Sequence, residues 1–151
     1  MSTLNPMDFL REQAEKKVQQ RVQALGEAQQ HWQQATQQLT QLETYEREYQ
    51  QALQQQVTGA GMCIADLINH QSFIHSLNQV VGQQVQQVTH CQHRVSQSRV
   101  LWSQEKRRLN AYETLQARAT QREAQWLQRQ EQKLMDEFAQ RAGNKGGETC
   151  L

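Results

Sequence analysis

The sequence predicts an all-α fold: a long two-helix antiparallel coiled coil, or helical hairpin, in which the second helix overhangs the first. Only 36% of the 151 residues are apolar, and about one residue in five is Gln. That is too little apolar material for a compact globule of this length, although Gln is compatible with helices. Apolar residues step by three and four on both sides of a single Gly-containing break, which is a coiled-coil pattern. The one proline, at position 6, interrupts neither stripe.

The first helix is predicted over about residues 6–56. Asn5 is suited to cap it, and Pro6 is suited to its first helical position. Apolar residues then mark one face from Val18 to Leu53, a stripe of about five heptads.

The second helix is predicted over about residues 66–141. The break before it, residues 57–63, contains Gly59 and Gly61, which can take a positive φ and close a turn. After the apolar stripe ends, the Gly-rich segment 143–151 is expected to stop the helix and form a flexible tail.

Two amphipathic helices joined by a short loop bury their stripes most simply by folding back on each other. With the turn near residue 60, residue i should face about residue 120 − i, which pairs Leu53 with Leu67 and Leu39 with Val81. We therefore expect a single coiled-coil domain over residues 1–142.

The second helix should extend beyond the first by about 20 to 30 residues, because a helix rises ~1.5 Å per residue and the second stripe is longer. Exposed large apolar side chains in a row commonly mark an interaction site. The overhang carries five of them: Trp126, Leu127, Leu134, Met135 and Phe138.

A second apolar row lies nearer the turn. On the first helix it comprises Gln38, Leu42, Tyr45 and Tyr49, and on the second Phe73, Leu77 and Val80. A two-helix seam is narrow, so the Tyr rings and Phe73 either stay outside it as a patch or widen it, and periodicity leaves both alternatives open.

The composition argues against several functions. The formal charge of +1 gives no field for nucleic acid, and the sequence contains no phosphate-binding Gly-rich loop. A two-helix hairpin has no cleft for catalytic groups, so we expect no enzyme, no cofactor and no small-molecule substrate. No apolar stretch is long enough to cross a membrane or serve as a signal peptide, and three widely spaced Cys suggest cytosolic thiols. A soluble cytoplasmic protein is expected.

The HCQH segment is the one metal-like motif. His90 and His93 flank Cys91, and His31 lies roughly opposite by the expected register. A metal site needs three or four converging ligands, whereas Cys91 belongs to the apolar stripe and points away from at least one His, so we expect no metal. The remaining histidines, at 70 and 75, show no partner pattern.

Read together with the capped start, three segments resemble the enterobacterial flagellar FliJ family: ETYEREYQ at 43–50, INHQSFIHSLNQ at 68–79 and QKLMDEFAQRA at 132–142. The resemblance covers the chain from about Phe9 to Ala142, and the MDEFAQRA ending is its most specific part.

The resemblance implies a coiled coil similar to the central stalk of rotary ATP synthases. It implies a component of the flagellar type III export apparatus, a system needed for motility, in the pore of the hexameric export ATPase FliI, with its regulator FliH. It also implies contact with the export gate protein FlhA, help in recycling the export chaperones FlgN and FliT, and peripheral association with the inner membrane. Such a protein should be monomeric when alone.

The family's gate-contacting surface falls on Gln38, Leu42, Tyr45, Tyr49, Phe73, Leu77, Val80 and Gln84. Val80 stands where the family has a smaller Ala, and Gln84 where it has a His. The apolar overhang would supply the ATPase-facing end.

Two other interpretations stay open. The equivalent stalk protein of a virulence injectisome would share the architecture and differ in its partner. A generic coiled-coil adaptor would instead dimerise through residues 126–138.

Overall fold

A computed structural model describes residues 5–148, with side chains as far as residue 144. It contains two α-helices, α1 (Pro6–Gly59) and α2 (Ile64–Glu148), joined by residues 60–63. The described residues contain no strand. The predicted all-α helical hairpin is therefore confirmed.

Helix α1 begins with the predicted cap. The Asn5 side-chain Oδ1 accepts a hydrogen bond from the Met7 backbone N–H at 3.2 Å, and the Asn5 carbonyl accepts one from the Asp8 backbone N–H at 2.9 Å. These bonds satisfy amide groups that have no partner within the helix. Asp8 adds a carboxylate to the first turn, where it interacts favourably with the helix dipole.

The turn depends on one of its two predicted glycines. Gly61 has a φ of +74°, a left-handed conformation that residues with a Cβ adopt at a steric cost. Gly59 instead forms the last residue of α1. Helix α2 then starts with the Leu67 backbone N–H donating to the Cys63 carbonyl at 3.0 Å.

The predicted helix ends need correction. Helix α1 ends at Gly59, where about residue 56 was expected, and α2 begins at Ile64 and continues to Glu148 through the start of the predicted flexible tail. Gly143 does not take a positive φ, so it does not form the left-handed cap that would stop the helix. Glycine inside a helix costs about 1 kcal/mol relative to Ala, which weakens a helix without ending it. Residues 149–151 of that tail lie outside the described residues.

The chain groups into two compact units. The first, Lys17–Glu105, contains the turn and the helical segments on both sides of it. Its buried apolar residues form a seam: Ala35, Leu77, Cys91 and Val95.

Cross-helix contacts in this unit confirm the predicted register. Residue 49 was expected to face about residue 71, and the Tyr49 ring contacts His70 and Phe73. Residue 84 was expected to face about residue 36, and the Gln84 amide donates to the Ala35 carbonyl at 2.9 Å.

The other unit comprises Met1–Lys16 and Lys106–Leu151. Ala14 and Leu109 are its buried apolar residues, and the Gln116 amide donates to the Asp8 carboxylate across the helices. Residue 8 was expected to face about residue 112, so this contact lies one helical turn away, within reach of a long Gln side chain. From residue 117 to residue 144 every side chain except that of Gln130 is exposed. The predicted overhang is thus a single helix without a packing partner in the described residues.

The extent of a single domain over residues 1–142 stays a prediction. The core is thin, because no large side chain among the described residues is fully buried. The helices are joined by a seam, and most large apolar groups keep some exposure.

Candidate interaction surfaces

An aromatic cluster lies across the two helices of the Lys17–Glu105 unit. It consists of Tyr45 and Tyr49 from α1 with His70 and Phe73 from α2. The Tyr49 ring is at its centre, with centroid distances of 6.4 Å to Tyr45, 5.7 Å to His70 and 4.8 Å to Phe73. Tilted ring pairs at these separations are favourable beyond the area that they bury.

The cluster presents part of its surface to solvent. Tyr45 is 51% exposed and Phe73 is 42% exposed. Tyr49 is half-buried, and its hydroxyl is hydrogen-bonded to Nδ1 of His70. Tyr45 and Phe73 therefore stay outside the seam as a patch, while Tyr49 joins that patch to it.

The other predicted members of the gate-contacting surface have different environments. Val80 is 45% exposed, whereas Leu77 is buried in the seam at 8% exposure. Leu42 is half-buried and Gln38 is exposed. Gln84 is half-buried, and its amide donates to the Gln38 Oε1 atom at 3.3 Å as well as to α1 backbone. Leu77 and Gln84 thus hold the helices together, and little of the Leu77 side chain is available to a partner.

His70 is the residue that the sequence reasoning missed. It shows no partner pattern in the sequence, yet it contacts the Tyr49 ring and hydroxyl. The register could have identified it, because residue 49 was expected to face residue 71. The exposed His75 instead lies within hydrogen-bonding distance of the Gln79 amide nitrogen, on its own helix, at 3.4 Å.

The apolar row on the overhang is as exposed as the sequence predicts. The exposed fractions are 59% for Trp126, 51% for Leu127, 66% for Leu134, 71% for Met135 and 75% for Phe138. Leu127, Leu134 and Phe138 stand at i, i+7 and i+11, on one face of the helix. By contrast Leu109, earlier on the same helix, is only 4% exposed.

The HCQH motif does not converge on one point. Cys91 is buried in the seam at 5% exposure, and the Gln87 amide donates to its sulfur at 3.8 Å. His90 and His93 are exposed. Within residues 5–148 no group of three or more His, Cys, Asp or Glu side chains could hold a metal ion.

Neither described helix contains a stretch apolar enough to cross a membrane, although both are long enough.

Comparison with known proteins identifies the family. The family model described as "Flagellar FliJ protein" matches residues 3–148 of this chain. The chain belongs to the flagellar FliJ family. Both the aromatic cluster and the apolar overhang lie within the residues that match FliJ.

Two individual FliJ proteins are similar to part of the chain. The flagellar FliJ protein of Salmonella typhi is 39% identical over 84 residues, which are 56% of this chain and 57% of that protein. The flagellar FliJ protein of Escherichia coli strain K12 is 39% identical over 83 residues, which are 55% of this chain and 56% of that protein. The chain thus matches just over half the length of each of these FliJ proteins.

Proposed function

We propose that the chain is a component of the flagellar type III protein export apparatus and acts there as the central stalk of the hexameric export ATPase FliI. In this role it promotes assembly of the ATPase ring and raises its activity. The observation that carries the proposal is the apolar overhang of α2, five large side chains between 51% and 75% exposed on an unpaired helix.

A single helix suits insertion into a ring. An α-helix with its side chains is about 10 to 12 Å across, which is narrower than a helical pair. A row of exposed apolar side chains gains free energy when a partner removes it from water, at about 25 cal/mol per Å² of apolar surface. The overhang therefore has both a small cross-section and a driving force for binding.

The stalk requires no catalytic residue to stimulate the ATPase. One asymmetric helix cannot make the same contacts with six subunits at once. Contacts that favour one nucleotide state in one subunit shift the conformational equilibrium of the ring. The stalk is then non-catalytic, and hydrolysis takes place in the ATPase.

The aromatic cluster is the second part of the proposal, as the surface that contacts the export gate protein FlhA. Tyr side chains are enriched among residues that dominate binding energy, and Tyr45 and Phe73 are exposed beside the half-buried Tyr49. Val80 adds an exposed apolar side chain to this surface on α2, whereas Leu77 is buried in the seam.

Further roles rest on family membership alone. They are cooperation with the ATPase regulator FliH, recycling of the export chaperones FlgN and FliT, and peripheral association with the inner membrane at the export apparatus. We also propose that the protein is cytoplasmic and monomeric when alone.

The stalk proposal is tested by the ATP hydrolysis rate of the cognate export ATPase at increasing concentrations of this protein. The variant Leu134→Asp, Phe138→Asp removes two apolar overhang residues and adds two charges. The matched control is Gln128→Asp, Gln132→Asp, which adds the same charges to exposed polar positions of the same helix. We expect wild type and control to stimulate hydrolysis and the apolar variant to lose stimulation, with all three equally helical by circular dichroism.

Other results would contradict the proposal. Equal loss of stimulation in both variants would show that charge, and not the apolar row, is what matters. Undiminished stimulation by a chain truncated after Arg129 would exclude a role for the last turns of the helix.

A coiled-coil adaptor that dimerises through residues 126–138 is the second candidate, because the same exposed row favours self-association. Sedimentation separates the two functions. The stalk should sediment as a monomer at all concentrations, whereas the adaptor should become dimeric as concentration rises and should leave ATP hydrolysis unchanged. The injectisome stalk loses support, because the matching family is flagellar.

A further inference from the structure

The aromatic cluster contains one imidazole ring, that of His70, to which the proposed function gives no role. Tyr49 contacts three other rings, and its hydroxyl meets Nδ1 of His70. Both residues are half-buried, so the bond is partly protected from competing water. The Tyr49 ring, beside the exposed Tyr45 and Phe73, is thus joined to His70 by a hydrogen bond as well as by ring contact.

The chemistry of the two groups favours one direction for this hydrogen bond. A phenol hydroxyl is a good donor, and an unprotonated imidazole nitrogen is a good acceptor. We assign the hydroxyl of Tyr49 as the donor and Nδ1 of neutral His70 as the acceptor, with the ring proton on Nε2. An imidazolium has protons on both nitrogens and accepts no hydrogen bond. Protonation of His70 therefore removes the acceptor.

Histidines are concentrated in the part of the chain that contains His70. Residues 49–93 contain one Asp, at position 66, and no Glu, Lys or Arg, but they contain four of the chain's five His. The formal charge of this segment is −1 with neutral imidazoles and would become +3 if all four were protonated. Histidine is the side chain whose charge changes between about pH 5 and 8.

Two carboxylates lie close to the His70 and Tyr49 pair along the sequence. On α2, Asp66 precedes His70 by one turn, at the i, i+4 spacing that allows a side-chain pair. On α1, the half-buried Glu46 precedes Tyr49 by one turn. A carboxylate at either position attracts an imidazolium, which adds to the loss of the bond to Tyr49 when His70 is protonated.

We propose that neutral His70 is a positioning residue that holds Tyr49 in place within the aromatic cluster. Protonation of His70 releases Tyr49 and weakens binding of the partner to this cluster. The proposal rests on the proposed function in one respect, the identity of the surface's partner as the export gate protein. The inference adds a residue that regulates binding and the direction of the pH effect, because binding is strongest when His70 is neutral.

The first experiment uses the full-length protein without a partner. Magnetic resonance spectra of isotope-labelled histidine and tyrosine, recorded from about pH 8 to about pH 5, report the proton on Nδ1 and the environment of the Tyr49 ring. We expect Nδ1 to be an unprotonated acceptor at the higher pH, and the Tyr49 signal to shift along the same titration curve as His70. The positioning role would be overturned by a proton on Nδ1 at high pH, or by a Tyr49 signal that does not change as His70 is protonated.

The second experiment measures the Kd for the cytoplasmic domain of the export gate protein at the same two pH values and constant salt. For wild type we expect binding to be about threefold to tenfold weaker at the lower pH, the range that one hydrogen bond contributes. His70→Gln retains an acceptor that does not titrate and should remove most of this pH dependence. Tyr49→Phe retains the ring and removes the donor, so its binding should be as weak at high pH as wild type is at low pH.

His75→Gln is the matched control, because it removes an exposed imidazole from the same helix while leaving the bond to Tyr49 intact. It should retain the wild-type pH dependence. Equal pH dependence in wild type and His70→Gln would overturn the inference while leaving the docking surface intact. Absence of gate binding by the wild type at either pH would instead overturn the proposed docking function, and the binding half of the inference with it.

Discussion

Leu109 and Leu134 offer the same substitution in opposite environments on one helix. Both belong to the unit formed by Met1–Lys16 and Lys106–Leu151, but Leu109 is 4% exposed and Leu134 is 66% exposed. Replacing each with Ala removes the same three carbon atoms. The difference between the two variants therefore measures burial alone.

The expected magnitudes follow from these exposures. Each buried CH₂ contributes about 0.8 kcal/mol, so Leu109→Ala should lower the free energy of unfolding by about 2.4 kcal/mol. This lies at the lower end of the range of about 2 to 5 kcal/mol for Leu→Ala in protein cores, because a two-helix seam is open to water and leaves no closed cavity. Leu134 has about one third of its side chain covered, so Leu134→Ala should cost at most about 0.8 kcal/mol, partly offset by the better helix propensity of Ala.

Urea unfolding followed by circular dichroism measures both effects, because a change in midpoint at constant slope is a change in stability. We expect the Leu109→Ala midpoint to fall clearly and the Leu134→Ala midpoint to stay near wild type. In the ATPase assay the order should reverse, with Leu134→Ala reducing stimulation while the protein remains fully helical. Equal destabilisation by both substitutions would refute the distinction between seam and overhang, and the stalk proposal with it.

Two further matched comparisons follow from the structure. Gly61→Ala should destabilise the protein by about 1 to 2 kcal/mol, because residue 61 has a positive φ. Gly59→Ala should stabilise it by about 0.4 to 1 kcal/mol, because residue 59 is helical and an added Cβ would meet open space. Thermal unfolding measures both effects. If both substitutions were destabilising, the assignment of the turn to Gly61 would be wrong. In a Cys150→Ser background the exposed Cys63 should react with a thiol reagent at the rate of a free thiol, and the buried Cys91 only after local opening of the helices. Fast reaction of both thiols would contradict the packing of Cys91 in the seam, and replacing each in turn by Ala assigns the two rates.

Much of the fold could be predicted because it depends on local signals. The Asn5 side chain favours a helix start because it accepts a hydrogen bond from a backbone N–H, and Pro6 favours one because it has no N–H that needs a partner. Both are properties of the residues themselves. The register follows from the position of the turn, because the loop between the helices is short. The same reasoning was wrong at Gly143, since this glycine does not adopt the positive φ of a left-handed cap, and its presence in the sequence does not determine its backbone conformation.

The candidate site was only partly predictable. The exposure of the overhang could be inferred by comparing the lengths of the two helices, because α2 has apolar residues beyond the point where α1 supplies partners. The aromatic region could not be resolved in this way, because Phe73 and Leu77 are one turn apart on the same stripe, yet Phe73 is 42% exposed and Leu77 is 8% exposed. Which of two adjacent stripe residues enters a narrow seam depends on how the helix is rotated about its axis.

The sequence by itself thus determined two helices, one turn, their pairing and an unpaired end, since all of these follow from backbone preferences and the period of the apolar stripe. Tertiary structure alone decided which aromatic rings face solvent, and that His70, which the register places near Tyr49, bonds to the Tyr49 hydroxyl. The physical reason is that both features depend on the rotation of the two helices about their axes and on side-chain conformations, which no local pattern specifies. The Tyr49–His70 bond, for example, joins side chains 21 positions apart on different helices.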